Sequence, residues 1–281
     1  MTASKARKNS KRNTLVEITI YAVFAIMIVI YLYPLYRLLL TSFGASYNAV
    51  PPEFWPKNAT TEGYMVFLTN PSMTRWIINS IIFTIGVTFG SLAIAILAGY
   101  ALSRINFKGK GILFWFIIMG MMMPGIMLFV PLFLLLVRMK LINTYIGLLL
   151  PPIASAYNVF LIKQAFDGIP KEFEEAAIID GAGVLTIAFR VMLPLLRPII
   201  ITTMLYNIVW NWNNFAWPWF VAPDRSYWTL PLGVYLTSWS YTVKFWEYAA
   251  GAVITFLPPL ILYTVANIYF IRGIRIAGLK R

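Results

Sequence analysis

The sequence predicts an all-α membrane protein built from six transmembrane helices, and three observations predict it. Of the 281 residues, 60% are hydrophobic and 12% charged, with a mean hydropathy of +0.74, so too little polar surface exists to close a water-soluble globule. Six apolar stretches are each long enough to cross a hydrocarbon core of about 30 Å. The 23 Lys and Arg residues are shared unequally between alternate connections, sixteen on one side and seven on the other, the bias that orients polytopic proteins with their basic connections in the cytoplasm.

Taken in order, residues 1–14 form a basic tail with Lys5, Arg7, Lys8, Lys11 and Arg12, and residues 15–281 read as one membrane domain without an internal repeat. The apolar run after the tail is too long for a signal-peptide core, so it is an uncleaved first span, about residues 18–40. Ser42 to Thr74, with Pro51, Pro52, Trp55, Pro56 and Pro71, reads as an ordered external loop. The second span covers about 76–102 and is followed by Arg104, Lys108 and Lys110. The third covers about 112–137. Its Pro124-Gly125 and Pro131 remove backbone hydrogen bonds and kink a helix, which in lipid demands protein or water neighbours. Membrane helices tolerate single prolines, but Pro124 and Gly125 together are candidates for a kink lining a pathway. The fourth span covers about 146–165 with Pro151-Pro152, the fifth about 199–220, and the sixth about 250–271 with Pro258-Pro259. On the cytoplasmic side this places the tail, Arg104, Lys108, Lys110, Lys163, Lys171, Arg190, Arg197, Arg272, Arg275, Lys280 and Arg281. Arg37, Lys57, Arg75, Arg138, Lys140, Arg225 and Lys244 fall outside, so both termini are expected in the cytoplasm.

Between the fourth and fifth spans, residues 166–198 are the one long polar interruption with internal order. Pro170 stands where a helix can begin without losing a needed N–H, and Glu172, Glu174 and Glu175 fall in its first turns, where carboxylates complement the helix dipole. Phe173, Ala176 and Ala177 recur at i, i+3 and i+4, and Asp180-Gly181 supplies a stop signal. A second short helix follows from Ala182 to Met192 before Pro194 and Pro198 lead into the fifth span.

These residues carry a family resemblance. Glu175-Ala176-Ala177, then three residues to Gly181, then nine to Val191-Met192-Leu193-Pro194, resemble the EAA loop of permease subunits of binding-protein-dependent ABC importers, with Val in place of the usual Ile before the Leu-Pro. The resemblance implies a type I importer permease fold in a bacterial or archaeal cytoplasmic membrane, with cytoplasmic coupling helices between spans four and five. It implies that Glu172, Phe173, Glu174, Glu175, Ala176, Ala177, Asp180, Gly181 and Pro194 form the element that docks on an ATP-hydrolysing subunit. The implied partners are two copies of that ATPase, a second and different permease, an extracytoplasmic solute-binding protein and membrane lipid. Asn79-Ser80, AGYALSR (98–104), NTYIGLLLP (143–151), NIVWNWNNFAWPWFV (207–221) and the basic C-terminal RGIRIAGLK resemble the carbohydrate branch, of the maltose-permease type. The implied cargo is therefore a sugar or oligosaccharide, with glycerol phosphate or another sugar derivative as the alternative.

Other classes fit less well. Cysteine and histidine are absent, which removes disulfides, thiolate metal sites and the commonest general base. No aromatic-interleaved basic groove accompanies the net charge of +13, so no nucleic-acid partner is expected. No phosphate loop of the G-x-x-x-x-G-K-[ST] type is present, and the GKG at 109–111 lacks its strand and helix context. ATP and Mg are therefore expected at the partner ATPase, with no cofactor on this non-catalytic chain. Secondary transporters place ionisable groups at mid-membrane, whereas these spans hold almost no charge. A membrane enzyme would need a convergent acid, base or metal constellation, and none is visible.

Cargo contact is best sought on the fifth span. In one continuous helix Asn207, Trp210, Asn211 and Asn214 fall at i, i+3, i+4 and i+7, an aromatic and amide-rich face without charge. An indole can cover the C–H face of a sugar while amides exchange hydrogen bonds with its hydroxyls. The alternative for the Asn residues is packing between helices, where they stabilise modestly. Trp217 and Trp219 read as interfacial anchors.

Overall fold

A computed structural model describes residues 2–44, 59–238 and 244–278, with side chains for 16–44, 59–238 and 244–266. Pro51, Pro52, Trp55, Pro56 and Lys57 of the expected external loop lie outside the described residues, as do the side chains of the tail bases and of the C-terminal Arg272, Arg275, Lys280 and Arg281. No strand occurs among the described residues. Two compact units result, residues 1–68 with 238–254, and residues 69–237 with 255–281.

In the first unit, α1 (Thr2–Ser42) carries the apolar stretch Val16–Ser42, long enough to cross a membrane. Its apolar side chains are exposed along most of their length, as lipid-facing residues must be, and burial begins only at Leu40 and Ser42. The Ser42 hydroxyl lies 2.6 Å from the Tyr64 hydroxyl on α2 (Glu62–Leu68), and the Phe43 and Tyr64 rings are 5.2 Å apart. Gly63 permits α2 to press on the first turns of α14 (Phe245–Gly278), because a Cβ there would come 2.8 Å from the Trp246 carbonyl oxygen.

The second unit is organised around α3 (Met73–Arg104). Gly86 and Gly90, one turn apart, face Leu149 and Ile153 of α6 (Tyr145–Ile153), and Gly99 faces Ile162 of α7 (Ala156–Asp167). Small residues let membrane helices approach closely enough for dispersion and weak polar contacts to hold them. A 43° bend joins α6 to α7, and the Ser155 hydroxyl caps the start of α7 by accepting the Asn158 N–H. Between α4 (Lys110–Met122) and α5 (Phe129–Arg138) the chain turns by 100° through a 3₁₀ turn, Gly125–Leu128. The cause is local: Met123, preceding Pro124, is pushed into an extended conformation (φ −79°, ψ 126°), and Pro124 itself has no N–H to continue the ladder.

After α7 come α8 (Glu172–Ile179), α9 (Val184–Thr186), a wide π-helical turn (Ile187–Met192), α10 (Leu193–Leu195) and α11 (Arg197–Trp212), with a 76° bend before α11. Pro194 and Pro198 cannot donate to the carbonyls four residues earlier, which is why the ladder loosens and bends here. Helix α11 stops at Trp212, short of the expected end of the fifth span. The Asn213 amide folds back onto the Val209 carbonyl (2.8 Å), and the Asn214 side chain caps α12 (Ala216–Val221) by accepting the Trp217 N–H (3.2 Å). The last helix of the unit before α14 is α13 (Leu230–Ser238). Val16–Ser42, α3 and Phe245–Ala266 of α14 each suffice to cross a membrane, and three bent pairs (α4 with α5, α6 with α7, Val184–Leu195 with α11) bring the number to as many as six.

At the end of the bundle where α3 begins, the string NTYIG is a set of fasteners. Asn143, at φ +57°, donates its N–H to the Val221 carbonyl and accepts the Asp224 N–H on its side chain. Thr144 caps α6 through the Gly147 N–H, and the Tyr145 hydroxyl donates to Asn79 Oδ1. Asn79, fully buried, donates in turn to the carbonyls of Ser226 and Trp228, while the Ser80 hydroxyl accepts the Leu230 N–H.

Candidate functional site

At the opposite end of α3, α8 presents its residues in two sets. The Lys171 carbonyl starts the helix by accepting the N–H groups of Glu174 and Glu175, and Glu172, Glu174 and Glu175 occupy the first turn, where their charge offsets the N-terminal dipole. Asp180 is the C-cap and Gly181, at φ +76°, completes the stop: its N–H bonds to Ile178 and the Ala182 N–H reaches back to Ala177. This paired bond pattern is a Schellman motif, and its left-handed residue is favoured as glycine because no Cβ clashes with the backbone.

Ala177 is buried and Glu174 half-buried, both turned toward the helix bundle, whereas Glu172, Phe173, Glu175, Ala176 and Asp180 are exposed. The i, i+3 spacing of Glu174 and Ala177 puts them on one face. The apolar face expected of Phe173, Ala176 and Ala177 is thus divided, with Ala177 alone reaching the core. That core is made by Tyr100 and Leu102 of α3, Ile162 and Phe166 of α7, and Ile187 and Met192 of the π turn. The exposed side of α8 carries Phe173 and Ile179 (85% exposed) along with its carboxylates, and Val184, Leu185 and Phe189 of the following segment are exposed as well. Pro194, on α10, is exposed and sits at the bend into α11.

Arg104 reaches this element from the last residue of α3. Its Nη2 donates to the carbonyls of Phe166 and Ile169, and its Nη1 is 3.8 Å from Glu174 Oε2. Beside it, the Ser103 hydroxyl and Lys163 both bind the Asp167 carboxylate, Lys163 lies 4.5 Å over the Phe114 ring, and Lys110 donates to the Ser103 carbonyl. Sequence reading marks Arg104 as a cytoplasmic base and as the end of the AGYALSR string; its partner Glu174 lies two apolar stretches further along the chain, so no local signal pairs the two.

Inside the bundle the amides of the fifth span separate. Asn207 and Asn158 exchange both of their amide hydrogen bonds (3.0 and 3.2 Å); Asn158 also donates to Ser91 and Asn207 to the Thr203 carbonyl. Asn211 donates to Thr88 at 3.4 Å. All of these side chains are buried, so Asn207 and Asn211 join α3, α7 and α11 in a closed polar seam. Trp210 points elsewhere: it is 63% exposed and stacks on Tyr206, which in turn meets Tyr157. Asn214 lies beyond the helix end as the cap described above, so the four residues do not form a single face. Ser91, Thr88 and Asn158 were not singled out by sequence reading, although Thr84, Thr88 and Ser91 recur at helical spacing in an otherwise apolar span. Pro124 and Gly125 are exposed at the 100° turn, with no other atom within 4 Å of a Cβ built on Gly125.

A family profile described as "Binding-protein-dependent transport system inner membrane component" matches residues 91–276. The arabinooligosaccharides transport system permease protein AraQ of Halalkalibacterium halodurans is 33% identical over 92% of this chain and 94% of its own length. The sn-glycerol-3-phosphate transport system permease protein UgpE of Yersinia pestis is 26% identical over 92% of this chain and 95% of its own. Among solved structures, a bacterial ABC transporter involved in the import of the acidic polysaccharide alginate shares the fold, with a TM-score of 0.77 and 24% identity over 92% of this chain and 98% of the matched one.

Proposed function

Since the chain belongs to the family of binding-protein-dependent transport system inner membrane components, it is a membrane permease subunit of an ABC importer, and we propose that it lines the passage for a carbohydrate while α8 receives the work of a separate ATPase. The observation that carries this reading is α8 itself. A short helix outside the spans, stopped at Gly181, offers carboxylates and large apolar side chains outward while its inner face is bonded and packed against α3, α7 and the π turn. Such a surface suits a cleft on a soluble ATPase, and ATP and Mg belong to two copies of that subunit. A second, different permease and an extracytoplasmic solute-binding protein complete the assembly.

The carbohydrate assignment rests on the exposed ladder of Tyr157, Tyr206 and Trp210, whose successive rings are 5.7 and 6.0 Å apart. Aromatic faces of this kind accept C–H surfaces without requiring ionic partners. A relative that transports arabinooligosaccharides favours the same choice. Glycerol phosphate is the second reading, favoured by the UgpE relative. Binding of mono- and oligosaccharides and of glycerol phosphate to the purified solute-binding protein, followed by ATP-driven uptake in vesicles holding the full complex, separates the two. Uptake of glycerol phosphate alone overturns the carbohydrate assignment.

The positions of the tested residues set the expected split between variants. Trp210→Ala should reduce uptake by an amount that depends on sugar size, with assembly and basal ATP hydrolysis retained, because truncating an exposed ring opens no cavity in the seam. Asn211→Leu breaks a buried bond to Thr88 and should lower thermal stability of the complex by about 0.6–2 kcal/mol. Unchanged uptake of every sugar in Trp210→Ala would assign that ring to lipid or packing.

Orientation follows from the basic connections. In this cysteine-free chain, Ser4→Cys, Lys108→Cys and Glu172→Cys are expected to be shielded from an impermeant thiol reagent in intact cells, and Lys57→Cys to be modified. Modification of Glu172→Cys from outside reverses the assignment.

A further inference from the structure

We propose that Arg104 is a positioning residue that fastens α8 to α3, so that movement imposed on α8 is passed into the central spanning helix instead of being absorbed by the four-residue link 168–171. The inference rests on the reading of α8 as the ATPase-coupling element. Three observations carry it. The side chain of Arg104 is 6% exposed, yet it touches the chain before, within and after the link: the Phe166 carbonyl in the last turn of α7, the Ile169 carbonyl in the link, and the Glu174 carboxylate on α8. A third element, α3, therefore triangulates the hinge. Without that tie the contacts of α8 with the buried core reduce to Ala177, with Ile169 of the link beside it in the same cluster, and apolar contacts resist separation more than rotation. The remaining guanidinium nitrogen, Nε, is buried with no hydrogen-bond partner. Leaving a donor unsatisfied is unfavourable, and that cost is tolerated where the group's other bonds impose a geometry.

The chemistry requires arginine. Its planar fork addresses three acceptors in fixed directions, whereas the lysine ammonium, a point charge on a flexible stem, can neutralise Glu174 or meet one carbonyl without orienting all three. Glu174 faces this guanidinium, while Lys163 is engaged by Asp167 and Lys110 by the Ser103 carbonyl. The tie is therefore one arginine to one carboxylate and two carbonyls.

The test uses the complete complex with a cysteine-free ATPase subunit and spin labels at Leu97→Cys on α3 and Ile178→Cys on α8, both exposed and outside the tie. Distances are compared between the nucleotide-free complex and the complex trapped with ATP and vanadate. With Arg104 present, one narrow distance is expected in both states, because α3 and α8 move together. Arg104→Gln should broaden the distribution about twofold and make it differ between states, with the KM for ATP unchanged, since the variant touches no nucleotide. Arg104→Lys should recover part of the narrowing, and Glu174→Gln should broaden less than Arg104→Gln. A distance that already differs between states with Arg104 present, or an Arg104→Gln distribution as narrow as that of the native residue, overturns the proposal. If Arg104→Gln does not assemble, Glu174→Gln decides, and an unbroadened distribution there overturns it. Full ATPase stimulation in Glu175→Lys would instead remove the coupling reading, whatever the distances; loss of stimulation there, with no broadening in Arg104→Gln, removes the tie alone.

Discussion

Gly181→Pro is expected to abolish the stimulation of ATP hydrolysis by the solute-binding protein while leaving the permease inserted in the membrane. Proline holds φ near −65°, and Gly181 sits at +76°, so the left-handed stop of α8 cannot form. The substitution also removes the N–H that bonds to Ile178 and turns the chain so that Ala182 no longer reaches Ala177. The local cost is about 3 kcal/mol, enough to lose the angle between α8 and the α9–π–α10 segment, but it falls outside the spans and should not prevent insertion. Gly181→Ala grades the effect, costing about 1 kcal/mol and lowering stimulation only in part. Glu175→Lys tests the same surface by charge: the carboxylate is exposed in the first turn, so reversing it perturbs the outward face and the dipole without disturbing the core. Stimulation more than tenfold below that of the native chain is expected in both Gly181→Pro and Glu175→Lys, an effect of about 1.4 kcal/mol or more. Native stimulation in both removes α8 from the coupling path.

Gly147→Ala should have the largest effect on the folded state. A Cβ at this position would fall far inside van der Waals contact of the Leu141 carbonyl oxygen, and the obstacle is backbone that cannot rotate away. The same carbonyl accepts the Thr144 hydroxyl at 2.7 Å, while Thr144 also accepts the Gly147 N–H, so relief of the clash must dissolve the cap of α6. Overpacking of this kind costs about 3 kcal/mol. A lower midpoint for thermal unfolding of the purified complex is expected, together with weaker docking of the Asn143 and Tyr145 fasteners. A midpoint equal to that of the native chain would mean that the connection has room to shift.

The polar loop between the fourth and fifth spans was readable because its signals are short-range. Carboxylates after Pro170 and a glycine after Asp180 act on neighbouring backbone groups, and the structure starts and stops α8 with those groups. The direction in which each side chain points was not readable to the same extent. Glu174 and Glu175 are adjacent in sequence and alike in chemistry, yet one approaches Arg104 while the other is exposed, a difference created by the ends of α3 and α7. The Asn207, Trp210, Asn211 and Asn214 pattern presumed an unbroken helix. Asn213 and Asn214 instead spend their amides on local backbone, and Asn158 supplies from another helix the partner that draws Asn207 inward.

By itself the sequence determined the membrane setting, the six apolar stretches, the basic asymmetry and the punctuation of α8, because transfer from water, helix capping and proline's missing N–H are properties of a residue and its immediate neighbours. Only the tertiary structure decided that Asn79 and the NTYIG string fasten one end of α3, that Gly86, Gly90 and Gly99 let α6 and α7 approach it, and that Arg104 joins its other end to α8. A buried amide or guanidinium must find partners, and within an apolar bundle those partners are the ones that folding brings from distant parts of the chain: Asn79 meets Ser226, Asn158 meets Asn207 and Arg104 meets Glu174.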